Sequence, residues 1–278
     1  MRRYVLYAVF LPLLIATARA DILGTADSFA VLAGSTVTNT GPSLVYGNLG
    51  VSPDTAITGF PPGSVTGTKY SAGAVAQQAQ KDDTTAYNYL AGLPFTTDLT
   101  GQDLGGRTLL PGVYHFDDLA QLTGALTLNA QGSDNAVWVF QIGSTLTTAS
   151  ASSVGVINGG PDDSVFWQVG SSATLGTTTV FEGNILALAS ITLTTGAIIP
   201  CGRALAQTGA VTMDTNVIST ACRATTGWDT YQSTELSGTL GNLGTGLDNP
   251  NNSVPEPSAL LLLATCVAGL AIRRKWAR

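Results

Sequence analysis

The sequence predicts an all-β protein, and within that class a parallel β-solenoid, from three observations. Segments of 19, 19 and 18 residues repeat at 165–183, 184–202 and 203–220, each with an apolar run, a small-residue corner and then a Thr-apolar-X-Thr pattern. The 32 glycines suit corners that need positive φ, and Val, Ile and Thr suit the faces of strands. A coil of this length buries its apolar side only when neighbouring coils stack, so the repeat predicts one continuous solenoid core.

Further copies of the repeat extend the predicted solenoid towards the N-terminus. Residues 137–154 form an earlier copy, a partial copy lies at 126–129, and 22–68 have the composition of additional β coils. Residues 71–92 break the pattern, because they are rich in Ala and Gln and place Val75, Ala79, Ala86 and Leu90 near one helical stripe. We therefore expect one amphipathic helix packed along the side of the solenoid.

Residues 1–20 predict a secretory signal peptide. Arg2 and Arg3 precede an apolar run, and the segment ends in the small-residue sequence Ala18-Arg19-Ala20. The mature chain is therefore expected to be secreted or displayed on the cell surface, with its β-solenoid domain at 21–223.

The C-terminal end predicts a second processing signal. A Gly/Asn-rich linker at 224–254 leads to Pro255-Glu256-Pro257, an apolar stretch and a basic terminus. Residues 255–278 resemble the PEP-CTERM sorting signal of bacteria, and this resemblance implies an exosortase as a processing partner. The apolar stretch is shorter than the roughly 20 residues that comfortably span a bilayer. A simple membrane anchor is the alternative, and either reading predicts transient or permanent membrane contact through the tail.

The charge and cysteine content restrict the partners and the stabilising bonds. Segment 21–257 holds all 18 acidic residues and only five basic ones, so its net charge is −13. This surface repels phosphate backbones, which argues against nucleic-acid binding. Cys201 and Cys222 lie in an exported domain, where disulfides persist, and we predict that they pair; two free buried thiols are the alternative.

The repeated strand predicts a ladder of outward threonines. Strand alternation places Leu146 on one face and both Thr145 and Thr147 on the other. The same pattern applies to a set of later positions and to one earlier one: Thr174, Thr192, Thr194, Thr212 and Thr127. Stacked rows would lie about 4.7–4.9 Å apart, with residues two apart along a strand separated by about 6.6 Å. Such a rigid grid of methyls and hydroxyls suits a periodic ligand, for which ice is the obvious candidate, although outward threonine also simply favours strands.

An enzyme and an adhesin are the two other classes of function to which such a chain could belong. An enzyme is not indicated, because the acidic pairs 82–83, 117–118 and 162–163 do not converge by spacing, the lone His115 has no triad, and no metal cluster or cofactor motif is present. An extracellular adhesin or matrix protein that binds polysaccharide is the alternative. An exposed aromatic row would favour it, but Trp138 and Trp167 lie in apolar strands and are expected in the core.

Several segments carry a resemblance to a known family. They include FAVLAGSTVTNTGPS, GNLGVSPDTAITGFPPG, LGGRTLLPGVY, AVWVFQIGSTLTTASASSV and GNILALASITLTTGA. The chain resembles the ice-binding (antifreeze) β-solenoid family of bacteria, fungi and algae over nearly all of 21–222. The resemblance implies a discontinuous right-handed parallel β-helix of triangular section with a long helix alongside, and ice adsorption as the activity.

The family's Thr-(Ala/Gly)-X-(Thr/Asn) motif adds site residues to the ladder. Thr55-Ala56-Ile57-Thr58 matches it fully, whereas Thr195-Gly196-Ala197 is followed by Ile198 and departs from it. We therefore expect a non-enzymatic protein, without a cofactor or metal, whose partner is the ice crystal surface. The expected ice-binding residues are Thr55, Thr58, Thr145, Thr147, Thr174, Thr192, Thr194, Thr195 and Thr212.

Overall fold

The computed structural model describes residues 22–222, which form a stack of parallel β coils with one α-helix. In this part of the chain the strands are numbered in chain order, and a short 3-10 helix (Gly24–Ser28) precedes the first. The strands are β1 (Phe29–Ala33), β2 (Thr36–Thr40), β3 (Leu44–Tyr46), β4 (Asn48–Val51), β5 (Ala56–Thr58), β6 (Ser64–Val65), β7 (Lys69–Ser71), β8 (Thr97–Asp98), β9 (Thr108–Leu109), β10 (Gly112–Phe116), β11 (Ala120–Leu122), β12 (Ala125–Asn129), β13 (Val137–Ile142), β14 (Leu146–Thr148), β15 (Ser153–Ile157), β16 (Ser164–Val169), β17 (Ala173–Leu175), β18 (Gly183–Ala187), β19 (Ile191–Leu193), β20 (Ile198–Ile199), β21 (Gly202–Ala206), β22 (Val211–Asp214) and β23 (Val217–Ser219). Helix α1 spans Gly73–Ala91.

The strands form three sheets, and a complete coil contributes one strand to each of them. Sheet A has the order β7-β4-β1-β21-β18-β16-β13-β10-β8, and sheet B has the order β11-β14-β17-β19-β22-β2-β5. Sheet C consists of two pieces, β15-β12-β9 and β20-β23-β3-β6, which single bridges through Val180 connect. The paired strands are parallel, as the repeat predicts for a solenoid.

The coils are not stacked in chain order. Strand β1 of the first coil lies between β4 and β21, so the last coil docks onto the first. We call this junction between the first and last coils the seam. From β1 the chain continues away from the seam through β4 and β7. Helix α1 then carries it to the opposite end of the stack, and the coils from β8 to β21 return to the seam. The predicted discontinuous order of coils is therefore present.

A continuous apolar core fills the space between the three sheets. Trp138 and Trp167 are fully buried in it, as the sequence predicts. Ring stacking continues from coil to coil, with centroids 5.3 Å apart for Tyr114 and Phe140 and 3.9 Å apart for Phe140 and Trp167. These contacts join neighbouring coils into one core, so neither tryptophan can serve as a sugar-binding platform.

Sheet A is buried on both sides because α1 covers its outer face. Phe166, Leu186 and Leu205 of the sheet pack against Ala79 and Leu90 of the helix. Strands covered on both faces read as continuous apolar runs, which explains why these strands lack the alternation of sheet B. The helix therefore leaves the outer face of sheet B open to solvent.

The helical prediction is confirmed in place but corrected in detail. The buried stripe of α1 consists of Ala76, Ala79, Asp83, Ala86 and Leu90. Val75 is 49% exposed, because it lies one residue, or about 100° of helical rotation, away from this stripe. Among residues 22–222, no helix is long and apolar enough to cross a membrane.

The predicted disulfide is confirmed. Cys201 and Cys222 are bonded, with their Cα atoms 4.6 Å apart. The bond closes a 21-residue segment and fixes the end of the last coil. The predicted signal peptide at 1–20, the linker at 224–254 and the sorting tail at 255–278 lie outside the described residues.

Candidate functional site

Six threonines form one unbroken column on the outer face of sheet B. The strand register places Thr58 beside Thr38, Thr38 beside Thr212, and Thr212 beside Thr192. It continues from Thr192 to Thr174 and from there to Thr147. We call this set the threonine column. With about 4.8 Å between neighbouring strands, it extends for about 24 Å along the solenoid.

The column points outward because the residues on both sides of each threonine point inward. Val211 and Met213 are fully buried on either side of Thr212, and Ile191 and Leu193 are buried on either side of Thr192. Two neighbouring threonines of the column, Thr174 and Thr192, are half-buried and the four others are exposed. Within residues 22–222 the six hydroxyls make no hydrogen bond to another protein group, so all of them face solvent.

A row of small residues runs beside the column, at the start of each strand. Thr36 pairs with Ala56 in this row, and backbone hydrogen bonds at the neighbouring positions place Thr145, Ser172, Ser190 and Ala210 in the same line. No bulky side chain rises from these positions, so the column is accessible from this side. Thr145 is thus near the column but not part of it.

The predicted site residues fall into two groups. Thr58, Thr147, Thr174, Thr192 and Thr212 lie together in the column, although the pairs 145/147 and 192/194 were expected to act equally. Four others lie elsewhere on or near sheet B, and Thr145 beside the column is the first of them. Thr194 is half-buried and donates its hydroxyl to the Leu175 carbonyl at 2.8 Å, Thr195 lies at the corner towards sheet C, and Thr55 precedes β5 on the exposed edge.

One predicted member of the ladder is wrong, and one true member was missed. Thr127 pairs with Thr108 and Gly155 in sheet C, so it does not continue the column. The same Thr-Leu pattern occurs on both faces, and spacing within one coil does not separate them. Thr38 lies in the column but is not among the predicted site residues, although Thr36-Val37-Thr38 shows the same alternation as the strands predicted to form the ladder.

The column is electrically neutral over its six positions. Gln121 follows Thr147 in register, and a bridge places Asp103 beyond Gln121. The first side chain with a formal charge in that direction thus lies two strands beyond the last threonine. A neutral, regularly spaced surface of methyls and hydroxyls avoids the strong hydration that ions require.

The acidic pair at 82–83 does not converge on one site. Asp82 accepts hydrogen bonds from Thr25 while its neighbour Asp83 is buried beneath the helix, so this pair diverges. Burial raises the pKa of Glu182 to about 7, with the Val156 backbone N–H opposing this shift. Within residues 22–222, no three His, Cys, Asp or Glu side chains are placed to hold a metal ion.

Fold and surface together define the class: an all-β solenoid protein that presents regularly spaced threonines on an open face. A family model described as Ice-binding-like matches residues 31–219, and a model described as PEP-CTERM protein-sorting motif matches residues 253–275. The chain therefore belongs to the ice-binding-like family and carries the sorting motif that its tail predicts.

Individual relatives agree with this assignment. An ice-binding protein of Nostoc sp. (strain HG1) is 63% identical over 205 residues, which are 74% of this chain and 76% of that protein. An ice-binding protein of Colwellia sp. is 37% identical over 71% of this chain and 82% of its own length. The crystal structure of the ice-binding protein from the Antarctic ascomycete Antarctomyces psychrotrophicus has a TM-score of 0.69 and 42% identity, covering 72% of this chain and 98% of that one.

Proposed function

We propose that this chain is an exported, non-enzymatic ice-binding protein that adsorbs to ice through the threonine column of sheet B. The observation that carries the proposal is the register of six outward threonines with unpaired hydroxyls on consecutive strands. Membership of the ice-binding-like family supports the same ligand.

The proposed mechanism uses the stiffness of the solenoid. Backbone pairing fixes the spacing of the rows, so adsorption costs little conformational entropy. Threonine χ1 is restricted because the side chain is β-branched, which holds each methyl and hydroxyl in place. The methyls favour ordered water around them, and the hydroxyls hydrogen-bond into the same layer. A flat face that adsorbs in this way pins the ice surface and forces growth to proceed with higher curvature.

We also infer that the solenoid is right-handed and triangular in section. Connections between parallel strands in one sheet are right-handed in about 98% of cases, which supports a right-handed solenoid. Three sheets around one core support a triangular section. A signal peptide at 1–20 and a tail processed by an exosortase would place the solenoid outside the cytoplasm, in secreted or surface-bound form.

The test uses a central column residue and a matched control. Thr192→Tyr places a bulky ring in the middle of the column and should cause a several-fold loss of thermal hysteresis and of recrystallisation inhibition. Thr127→Tyr places the same ring at an outward mid-strand position of sheet C and should leave both activities unchanged. Circular dichroism verifies that both variants fold.

Either of two results would contradict the proposal. If the folded wild-type chain has no effect on ice, the proposed ice-binding function is wrong. That result would favour the alternative, an adhesin or matrix protein that binds polysaccharide. Equal losses in both variants would show that the threonine column is not the contact surface.

A further inference from the structure

A second row of hydroxyl-bearing residues runs beside the threonine column, at the corner between sheets B and C. Thr40 pairs with Asp214 in register. On the next coil the hydroxyl of Thr195 donates to Oδ2 of Asp214. The Thr195 carbonyl accepts a hydrogen bond from the N–H of Thr178, which places Thr177 next in line. We call Thr40, Asp214, Thr195 and Thr177 the corner row.

The corner row has the spacing of a second line of the same grid at Thr40 and Asp214, whereas Thr195 and Thr177 lie three residues beyond a column threonine. Thr40 and Asp214 each lie two residues beyond a column threonine, Thr38 and Thr212, which corresponds to about 6.6 Å along the strand. Its three threonines are exposed to solvent, whereas Asp214 is half-buried. Apart from Asp214, the corner row therefore continues the neutral, hydroxyl-bearing surface of sheet B.

Asp214 is the single charged residue in the described strands of sheet B. Its Oδ2 accepts the hydroxyl of Thr195, and its Oδ1 accepts the hydroxyl of Thr215 at 3.0 Å. Because the Thr195 hydroxyl donates to this carboxylate, its proton is not available for a hydrogen bond to water or ice at the surface. It also lacks the methyl group that a threonine would present at this point of the grid.

We propose that Asp214 is a specificity-determining residue that confines ice contact to the threonine column by interrupting the corner row. The inference rests on the proposed ice-binding function. A carboxylate holds its hydration water tightly and in its own geometry, and such a shell cannot also belong to an ordered layer that continues across sheet B. The corner row is thus divided between Thr40 on one side and Thr195 with Thr177 on the other.

The first test is Asp214→Thr in the mature chain, residues 21–278, measured as thermal hysteresis at equal protein concentration. Completing the corner row should raise the hysteresis by up to about two-thirds, because four positions join the six of the column and stabilisation by contacting apolar groups scales with the contacted area. Asp134→Thr removes one negative charge at an exposed loop position away from sheet B. It should leave the hysteresis unchanged and so controls for net charge.

A second variant guards against a folding defect. Thr215 has φ of 56°, in the left-handed region that β-branched residues rarely adopt, and its hydroxyl bond to Asp214 accompanies this conformation. Asp214→Asn keeps an oxygen acceptor for that bond and removes only the charge. It should raise the hysteresis as well, though by less than Asp214→Thr, because it supplies no methyl group.

A double variant shows whether the corner row has become a contact surface. Combining Asp214→Thr with Thr192→Tyr should recover part of the activity that Thr192→Tyr loses, and the interaction is read from the double-mutant cycle. If wild type is active and both Asp214 variants fold with unchanged or lower hysteresis, the inference is wrong while the proposed function stands. If wild type itself is inactive, the proposed function fails first.

Discussion

Thr38 and Thr212 lie side by side in neighbouring parallel strands, although one belongs to the first coil of the chain and the other to the last. Their pairing closes the seam of the solenoid and joins two short runs of threonines into one column. Thr58 and Thr38 come from the N-terminal coils, and the other four come from the C-terminal ones. The proposed ice-binding surface therefore exists only after both ends of the domain have come together.

The end of the column offers a way to lengthen it. Gln121 is exposed and occupies the next position after Thr147, in the same register. Gln121→Thr should raise thermal hysteresis modestly, because it adds a seventh threonine in place of a longer and more mobile amide. The check is hysteresis at matched concentration, with Gln77→Thr at an exposed position of helix α1 as the control. An unchanged hysteresis in a folded Gln121→Thr variant would show that the contact surface ends before β11.

Asp83 is expected to make stability depend on pH. It is fully buried between α1 and sheet A, and neither carboxyl oxygen has a hydrogen-bond partner. Burial raises its pKa from 3.8 to about 8. In the unfolded chain the same carboxyl ionises near pH 4, so between pH 4 and 8 the folded state holds the extra proton. The contribution of neutral Asp83 is thus complete below pH 4 and is lost as the pH rises to about 8.

The test is Asp83→Ala, which fits a stripe already made of alanines. Removing an unpartnered buried polar group should stabilise the fold by about 1–3 kcal/mol where the carboxyl is most costly. The gain over wild type should therefore be small at pH 4 and largest near pH 8–9. Urea denaturation at several pH values measures it. A gain that does not grow with pH would contradict the assignment.

Asp82 provides an adjacent control with the opposite sign. Hydrogen bonds from the Thr25 hydroxyl and backbone N–H, together with one from Gln78, hold the pKa of Asp82 below its ordinary value against a smaller effect of burial. A carboxylate with a lowered pKa stabilises the fold above its unfolded pKa, and this contribution disappears as the pH falls. Asp82→Ala should therefore destabilise the protein at pH 7 and have less effect at pH 3.

The disulfide is expected to affect stability but not the contact surface. Cys201–Cys222 closes a 21-residue segment at the corner away from the threonine column, for which loop-closure entropy predicts about 3 kcal/mol. Cys222→Ser should lower the free energy of unfolding by about this amount. Thermal hysteresis measured well below the melting temperature should be unchanged. A large loss of ice activity in the folded variant would place the contact surface near the disulfide.

Arg203 joins the N-terminal turn to sheet A. It forms an ion pair with Asp27 at 2.6 Å, donates to the Asp27 carbonyl at 2.8 Å, and donates to Asn184 Oδ1 at 2.7 Å. Arg203→Met should destabilise the fold by about 2 kcal/mol, towards the low end for a buried pair because Asp27 is half-exposed. Arg107→Met removes a half-buried arginine whose hydrogen-bond partners are local, and it should cost far less. Equal losses in the free energy of unfolding would show that the contacts of Arg203 contribute no more to stability than those of Arg107.

Much of the fold could be predicted from sequence because its causes are local. A repeat near 19 residues fixes the length of a coil, and strand alternation assigns Leu146 inward and Thr147 outward. The Ala-rich segment identifies α1, and apolar strands place Trp138 and Trp167 in the core. The exact buried stripe of the helix could not be predicted from the sequence. Asp83 lies in it, and an aspartate is normally expected on the surface.

Sequence by itself therefore determined the coil, the helix, the disulfide partners and most members of the column. The tertiary structure alone decided which faces are free, because α1 covers sheet A and leaves sheets B and C open. It also decided which threonines share a face: Thr127 follows the same local pattern as Thr192 but lies in sheet C. The corner breaks the two-residue period, which turns Thr194 towards a backbone carbonyl and Thr195 towards Asp214. Finally, only folding brings Thr38 beside Thr212, since coil order depends on contacts between the two ends of the domain and no local pattern encodes them.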